Sequence, residues 1–138
     1  MITSTNPMTQ ESHRLPVELD DSFKINEFLQ NNNGKKVVVV QGLGFVGAVM
    51  SLVCANALTE EYAVIGVDLV SENTYWKIKS INDGVFPLTA DDPKIAEFFA
   101  NAKAKGNFLA TYDPVAYQYA DVIIVELYLD VQKESYET

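Results

Sequence analysis

Three glycines and one acidic residue form the part of the sequence with the clearest chemistry. The stretch "GLGFVG" places Gly42, Gly44 and Gly47 in a G-x-G-x-x-G pattern directly after the β-branched run "VVVV". Asp68 lies about twenty residues beyond the last glycine, at the end of a second apolar run. Strand, glycine turn, helix, strand and acid follow one another in this order in dinucleotide-binding units. The sequence therefore predicts a dinucleotide site at this turn.

Each residue type has a physical role in such a site. Gly42 allows a sharp turn, Gly44 lets the backbone approach a pyrophosphate, and Gly47 lets the following helix pack closely on the strand. The positive end of the helix dipole adds to the attraction for phosphate. The remaining turn residues are predicted to present their backbone amides to the phosphates, and these are Leu43, Phe45 and Val46.

Asp68 is placed to select the cofactor. A carboxylate at this point accepts hydrogen bonds from the ribose hydroxyls of the adenosine half and repels a 2′-phosphate. We therefore expect NAD rather than NADP or FAD. The alternative for Asp68 is a solvated strand end.

The run from residue 37 to residue 58 carries no charged side chain, which leaves two further interpretations. A membrane span needs about twenty apolar residues, and this run is long enough. A buried strand and helix, with the glycines serving only a tight turn, is the other possibility. The polar residues Gln41, Ser51 and Asn56 and the crowded glycines speak against a membrane span.

Segments apolar on both faces alternate with helical patterns along the chain. Such segments are typical of the central strands of a parallel sheet, and they lie at residues 37–40, 62–69, 107–112 and 121–127. Helices are expected after the glycine turn and within residues 20–34, 72–84, 92–106 and 113–120. Alternating strands and helices predict an α/β fold, a Rossmann-type doubly wound parallel sheet seen here for about four strands.

Charge and composition narrow the function classes. The chain has 19 acidic residues against 10 Lys and Arg, a net charge of −9. This balance argues against nucleic acid and anionic membranes as partners, since both require clustered positive charge. The single cysteine, Cys54, is expected in the core of the first helix, and the single histidine, His13, in a polar, mobile N-terminal extension. No metal site and no secretory signal are predicted, and we expect a cytoplasmic protein.

The segments "WKIKSINDGVFPL" and "FLATYDPVAYQYADVIIV" resemble the N-terminal domain of the UDP-glucose/GDP-mannose (nucleotide-sugar) dehydrogenase family. The resemblance covers roughly residues 36–128. It implies NAD-dependent oxidation of a sugar C6 alcohol to a carboxylate, in polysaccharide biosynthesis, through a thiohemiacetal on a cysteine. It also implies cofactor contacts from Lys77 and Thr111. The chain departs from the family at Leu129, where the family has a threonine.

The family's catalytic cysteine and lysine lie in a downstream region that this sequence does not contain, so the resemblance implies no catalytic residue here. We expect an N-terminal extension with a short helix at residues 1–34 and an NAD-binding domain at residues 35–138 that binds NAD without turnover. Expected partners are a nucleotide sugar in the full enzyme and a second copy of the chain, because the fourth strand leaves an exposed edge. The alternatives are a stand-alone, non-catalytic dinucleotide-binding or interaction module and the first half of another NAD-linked dehydrogenase.

Overall fold

A parallel sheet forms the centre of the molecule. The computed structural model describes residues 2–89 and 91–126. The strands of this sheet lie in the order β5-β4-β3-β6 and are all parallel: β3 (Lys36–Gln41), β4 (Tyr62–Val67), β5 (Phe108–Thr111) and β6 (Val122–Val125). Counted within the sheet, this is the 3-2-1-4 order of the first four strands of a Rossmann fold. The predicted fold class is confirmed.

Helices cover both faces of the sheet because its strands are apolar on both sides. Val38 and Val40 point to the face covered by α2 (Phe45–Ala55), α3 (Tyr75–Asn82) and α4 (Pro93–Lys105). Val39 points to the opposite face, where α1 (Ser22–Asn31) and a short 3-10 helix (Pro114–Tyr119) pack. The period-2 alternation of strand side chains thus divides one valine run between two cores.

Local sequence signals fix the ends of α4. The Asp92 side chain accepts a hydrogen bond from the Lys94 amide at 2.9 Å, and Pro93 occupies the first helical turn. Gly106 ends the helix in the left-handed region, at φ 68°. Asp, Pro and Gly are the residue types that favour an N-cap, a first helical turn and a left-handed helix end, and they fix the helix expected within residues 92–106.

In the structure, the uncharged run of residues 37–58 forms a strand and a short helix. It comprises most of β3, the glycine turn and α2, which has 11 residues. Within residues 2–89 and 91–126, no helix has the length and apolar character needed to cross a membrane. Cys54 lies half-buried in α2 against the core, and burial raises the pKa of its thiol.

The N-terminal segment differs from the expected mobile extension. It forms an antiparallel hairpin of β1 (Thr3–Thr5) and β2 (Ser12–Arg14). Ser4 is completely buried, and its hydroxyl accepts a hydrogen bond from the Trp76 amide at 2.9 Å and donates one to the Glu72 carbonyl at 2.6 Å. His13 is only half-exposed, edge-on to the ring of Tyr75. Contacts with α3 therefore hold the hairpin.

The predicted short helix within residues 20–34 is present as α1 and belongs to the main core. Ile25 and Phe28 are buried against the sheet, as their shared helical face predicts. Residues 127–138, which include the last residue of the fourth predicted strand, Leu129 and the polar tail from residue 130, lie outside the described residues.

Candidate functional site

The glycine turn joins β3 to α2 at the carboxyl end of the sheet. Gly42 has φ +100°, a conformation that favours glycine, and its amide donates a hydrogen bond to the Val67 carbonyl at 2.8 Å. A Cβ atom on Gly47 would lie 2.1 Å from the Gly42 carbonyl oxygen. The first turn of α2 thus packs directly on the glycine turn, which is why both positions require glycine.

Asp68 is fixed beside this turn. One carboxylate oxygen, Oδ2, accepts a hydrogen bond from the Leu43 amide at 3.0 Å, and Oδ1 accepts one from the Leu69 amide at 2.7 Å. The side chain is half-buried. The structure therefore brings the predicted acid and the predicted glycine turn together.

A cavity of about 430 Å³ opens next to Asp68. The ends of β3 and β4 form its floor, and two tyrosines and Leu19 form its walls. The two tyrosines are Tyr112 and Tyr117. Burial raises the pKa of Tyr117, and the negative charge of Asp68 raises it further. An apolar cleft with the carboxylates of Asp68 and Glu126 in its lining has the size and chemistry for a nucleoside.

Glu126 is a site residue that the sequence interpretation missed. Its Oε2 accepts a hydrogen bond from the Gly47 amide at 2.9 Å, and its own amide donates to the Gln41 carbonyl at 3.1 Å. A second cavity, of about 480 Å³, lies beside it and is lined by Gly42, Gly44, Phe45, Val46 and Glu126. An acid directly after an apolar strand that pairs with β3 was the available signal, because such a residue lies at the same sheet edge as the turn.

The two residues implied only by the family resemblance are engaged elsewhere. The Lys77 ammonium lies 5.9 Å from the centroid of the Trp76 ring, a cation–π distance. Thr111 is fully buried, and its hydroxyl donates to Asp21 Oδ2 at 2.7 Å. The Asp21 amide in turn donates to Asp113 Oδ2 at 2.7 Å. This network joins the start of α1 to the end of β5, and the Thr111 hydroxyl donates within it.

Comparison with known proteins finds similarity among the solved structures. No family model matches the chain, and no curated protein matches it. The solved structures include a similar chain, an NDP-N-acetyl-D-galactosaminuronic acid dehydrogenase from Methanosarcina mazei Go1, with 26% sequence identity and a TM-score of 0.61. The resemblance to the nucleotide-sugar dehydrogenase family is confirmed.

The match to this nucleotide-sugar dehydrogenase covers 76% of the present chain and 22% of the other one. The chain therefore spans about a fifth of the length of the dehydrogenase it matches. The shared part has the fold of a dehydrogenase-type nucleotide-binding domain, with the glycine turn at the carboxyl edge of the sheet.

Proposed function

We propose that this chain is the NAD-binding part of a nucleotide-sugar 6-dehydrogenase that oxidises a UDP- or GDP-sugar in the cytoplasm. The observation that carries the proposal is the pairing of Asp68 with the Leu43 amide at 3.0 Å, which fixes a carboxylate at the side of a nucleoside-sized cavity. The similarity to a sugar dehydrogenase supports the same assignment.

The residues present fit the adenosine half of NAD. Asp68 would accept hydrogen bonds from both ribose hydroxyls, and its charge would disfavour a 2′-phosphate. Gly42, Gly44 and Gly47 add no side chains of their own to the turn, so a phosphate would meet backbone amides once the Glu126 carboxylate, which lies against these glycines, moves aside. The bound cofactor would supply the acceptor for the hydride that leaves the sugar carbon.

We further propose that the chain binds NAD without turnover. Catalysis in the family passes through a cysteine thiolate, and the one cysteine of this sequence is Cys54. Its thiol is half-buried in α2, and burial raises its pKa. Because the thiolate is the reactive form, such a thiol is a poor nucleophile at neutral pH.

Among residues 2–89 and 91–126, β6 is an edge strand of the sheet, and this supports self-association. On β6, Val122, Ile123 and Val125 are each about half exposed, at 46%, 49% and 51%. A flat apolar edge strand offers unpaired backbone groups to another strand. We propose that two copies of the chain associate along β6, and a monomeric mass at high concentration in light scattering would contradict this.

Calorimetry tests the cofactor assignment. Asp68→Ala removes the ribose acceptor and should weaken NAD binding by at least about tenfold, because a hydrogen bond to a charged group contributes about 1.5–3 kcal/mol. Asp68→Asn should relax the preference for NAD over NADP, since the repulsive charge is lost. Glu61→Gln is the control, because Glu61 is exposed at the start of β4, at the opposite end of the sheet. Equal affinity of the unmodified chain for NAD and NADP would refute the role of Asp68.

A further inference from the structure

The carboxylate of Glu126 occupies the position where a pyrophosphate would meet the start of α2. It accepts the Gly47 amide at 2.9 Å. A Cβ atom on Gly44 would lie 3.3 Å from Glu126 Oε1, and one on Gly42 would lie 3.1 Å from Oε2. The space that the three glycines leave open is therefore filled by an acidic side chain of the same chain.

The negative charges that line the cleft make the binding of a phosphate at the glycine turn unfavourable. The two cavities on either side of Glu126 share Gly42 and Glu126 as lining residues, and their described walls contain two carboxylates and no Lys or Arg. The Leu43 amide is bonded to Asp68, and the Gly47 amide is bonded to Glu126. A phosphate that reached the turn would approach a like charge within a few ångströms, where repulsion persists even in high dielectric.

We propose that Glu126 determines the selectivity of the cleft between phosphate-bearing and phosphate-free nucleosides. Its carboxylate competes with the pyrophosphate for the Gly47 amide, so the dinucleotide binds only when the Glu126 side chain rotates away. Adenosine, which carries no phosphate, fits the cavity beside Asp68 and requires no such displacement. This inference rests on the proposed binding of NAD.

Calorimetry with two ligands, NAD and adenosine, isolates the effect on the phosphates. Glu126→Ala should tighten NAD binding by about tenfold or more, equivalent to about 1.4 kcal/mol. Glu126→Gln should tighten it less, because the amide oxygen still accepts from Gly47 while the charge is gone. Adenosine affinity should change much less than NAD affinity in both variants, because a neutral ligand has no charge for Glu126 to repel. Glu61→Gln removes the same charge far from the cleft and should change neither affinity.

The outcomes separate this inference from the proposed function. If the unmodified chain binds NAD and neither Glu126 variant binds it more tightly, Glu126 does not compete and the inference is wrong. An equal gain in adenosine affinity would also overturn it, because the effect would not concern the phosphates. If no form of the chain binds NAD, the proposed function fails and the inference fails with it. Circular dichroism confirms folding, and the isosteric Glu126→Gln carries the test if Glu126→Ala does not fold.

Discussion

Replacing Gly47 with alanine should destabilise the protein through a steric conflict inside the glycine turn. The added methyl carbon would lie 2.1 Å from the Gly42 carbonyl oxygen and 2.5 Å from Glu126 Oε2. The Glu126 carboxylate ends a flexible side chain and can move. The Gly42 carbonyl cannot move easily, because it shares a peptide plane with the Leu43 amide, which donates to Asp68 Oδ2 at 3.0 Å. The turn and α2 must separate by roughly 1 Å or more to reach an ordinary contact of about 3.5 Å.

The expected loss of stability follows from two opposing terms. Over-packing of a close contact costs about 1–3 kcal/mol, and a clash with backbone belongs at the upper end of that range. Alanine is favoured over glycine inside a helix by about 1 kcal/mol, which offsets part of the loss. The net decrease in the free energy of unfolding should be about 2 kcal/mol. For a chain of 138 residues the unfolding entropy is about 0.3 kcal/mol/K, so the melting temperature should fall by about 7 °C.

Thermal unfolding followed by circular dichroism measures this change, and Gly34→Ala is the matched control. Gly34 also has a positive φ, +89°, but no atom lies within 4 Å of a Cβ placed there. The control therefore carries conformational strain of about 1–2 kcal/mol without a steric clash. Its tertiary contacts should be unaffected, so the Gly34→Ala chain should keep its NAD affinity while the Gly47→Ala chain loses it. A Gly47→Ala chain that melts at or above the temperature of the unmodified protein would refute the close packing of α2 on the turn.

Two further predictions concern a buried and a half-buried polar group near the carboxyl edge of the sheet. Thr111→Val removes the hydroxyl that donates to Asp21 at 2.7 Å, and it should lower the free energy of unfolding, measured in urea, by about 2 kcal/mol. Thr111→Ser is the control because it keeps the donor. Unchanged stability of the valine variant would contradict the hydrogen-bond network around Thr111. Tyr117 should release its proton above the ordinary value of 10.0 in the folded state because of burial and the charge of Asp68. Its contribution to stability is therefore complete below about pH 10 and is lost as the pH rises through the raised pKa, because the unfolded chain ionises first. Burial also raises the pKa of Tyr75 and Tyr112, so tyrosinate absorbance should lose one of several late-titrating groups in Tyr117→Phe, and Asp68→Asn should shift the Tyr117 group toward lower pH. A Tyr117→Phe chain with the same titration curve would contradict the assignment.

The elements that local sequence determines were predictable. The β-branched run of β3, the glycines of the turn and the capping residues of α4 act within a few residues of their own position. Asp68 was predictable for a related reason, because a helix of ordinary length returns the chain to the same edge of a parallel sheet about twenty residues later. Apolar patterning and glycine spacing therefore specified the parallel sheet and the turn before any tertiary contact was known.

Contacts between distant polar residues were not predictable in the same way. Ser4 binds the Trp76 amide across 72 residues, and Thr111 binds Asp21 across 90. Short polar side chains carry no periodic pattern, so nothing near Ser4 in the sequence marks it as buried. The N-terminal residues thus have a polar composition but an ordered, packed position.

The sequence by itself determined that this chain folds as a Rossmann-type sheet with a glycine turn and an acid at its carboxyl edge, because those features arise from local backbone geometry and apolar patterning. The tertiary structure alone decided what lies against the turn. Glu126 reaches the Gly47 amide from 79 residues away, because β6 pairs with β3 and ends at the same edge. Only that pairing places a second negative charge where the glycine motif leaves room for a phosphate.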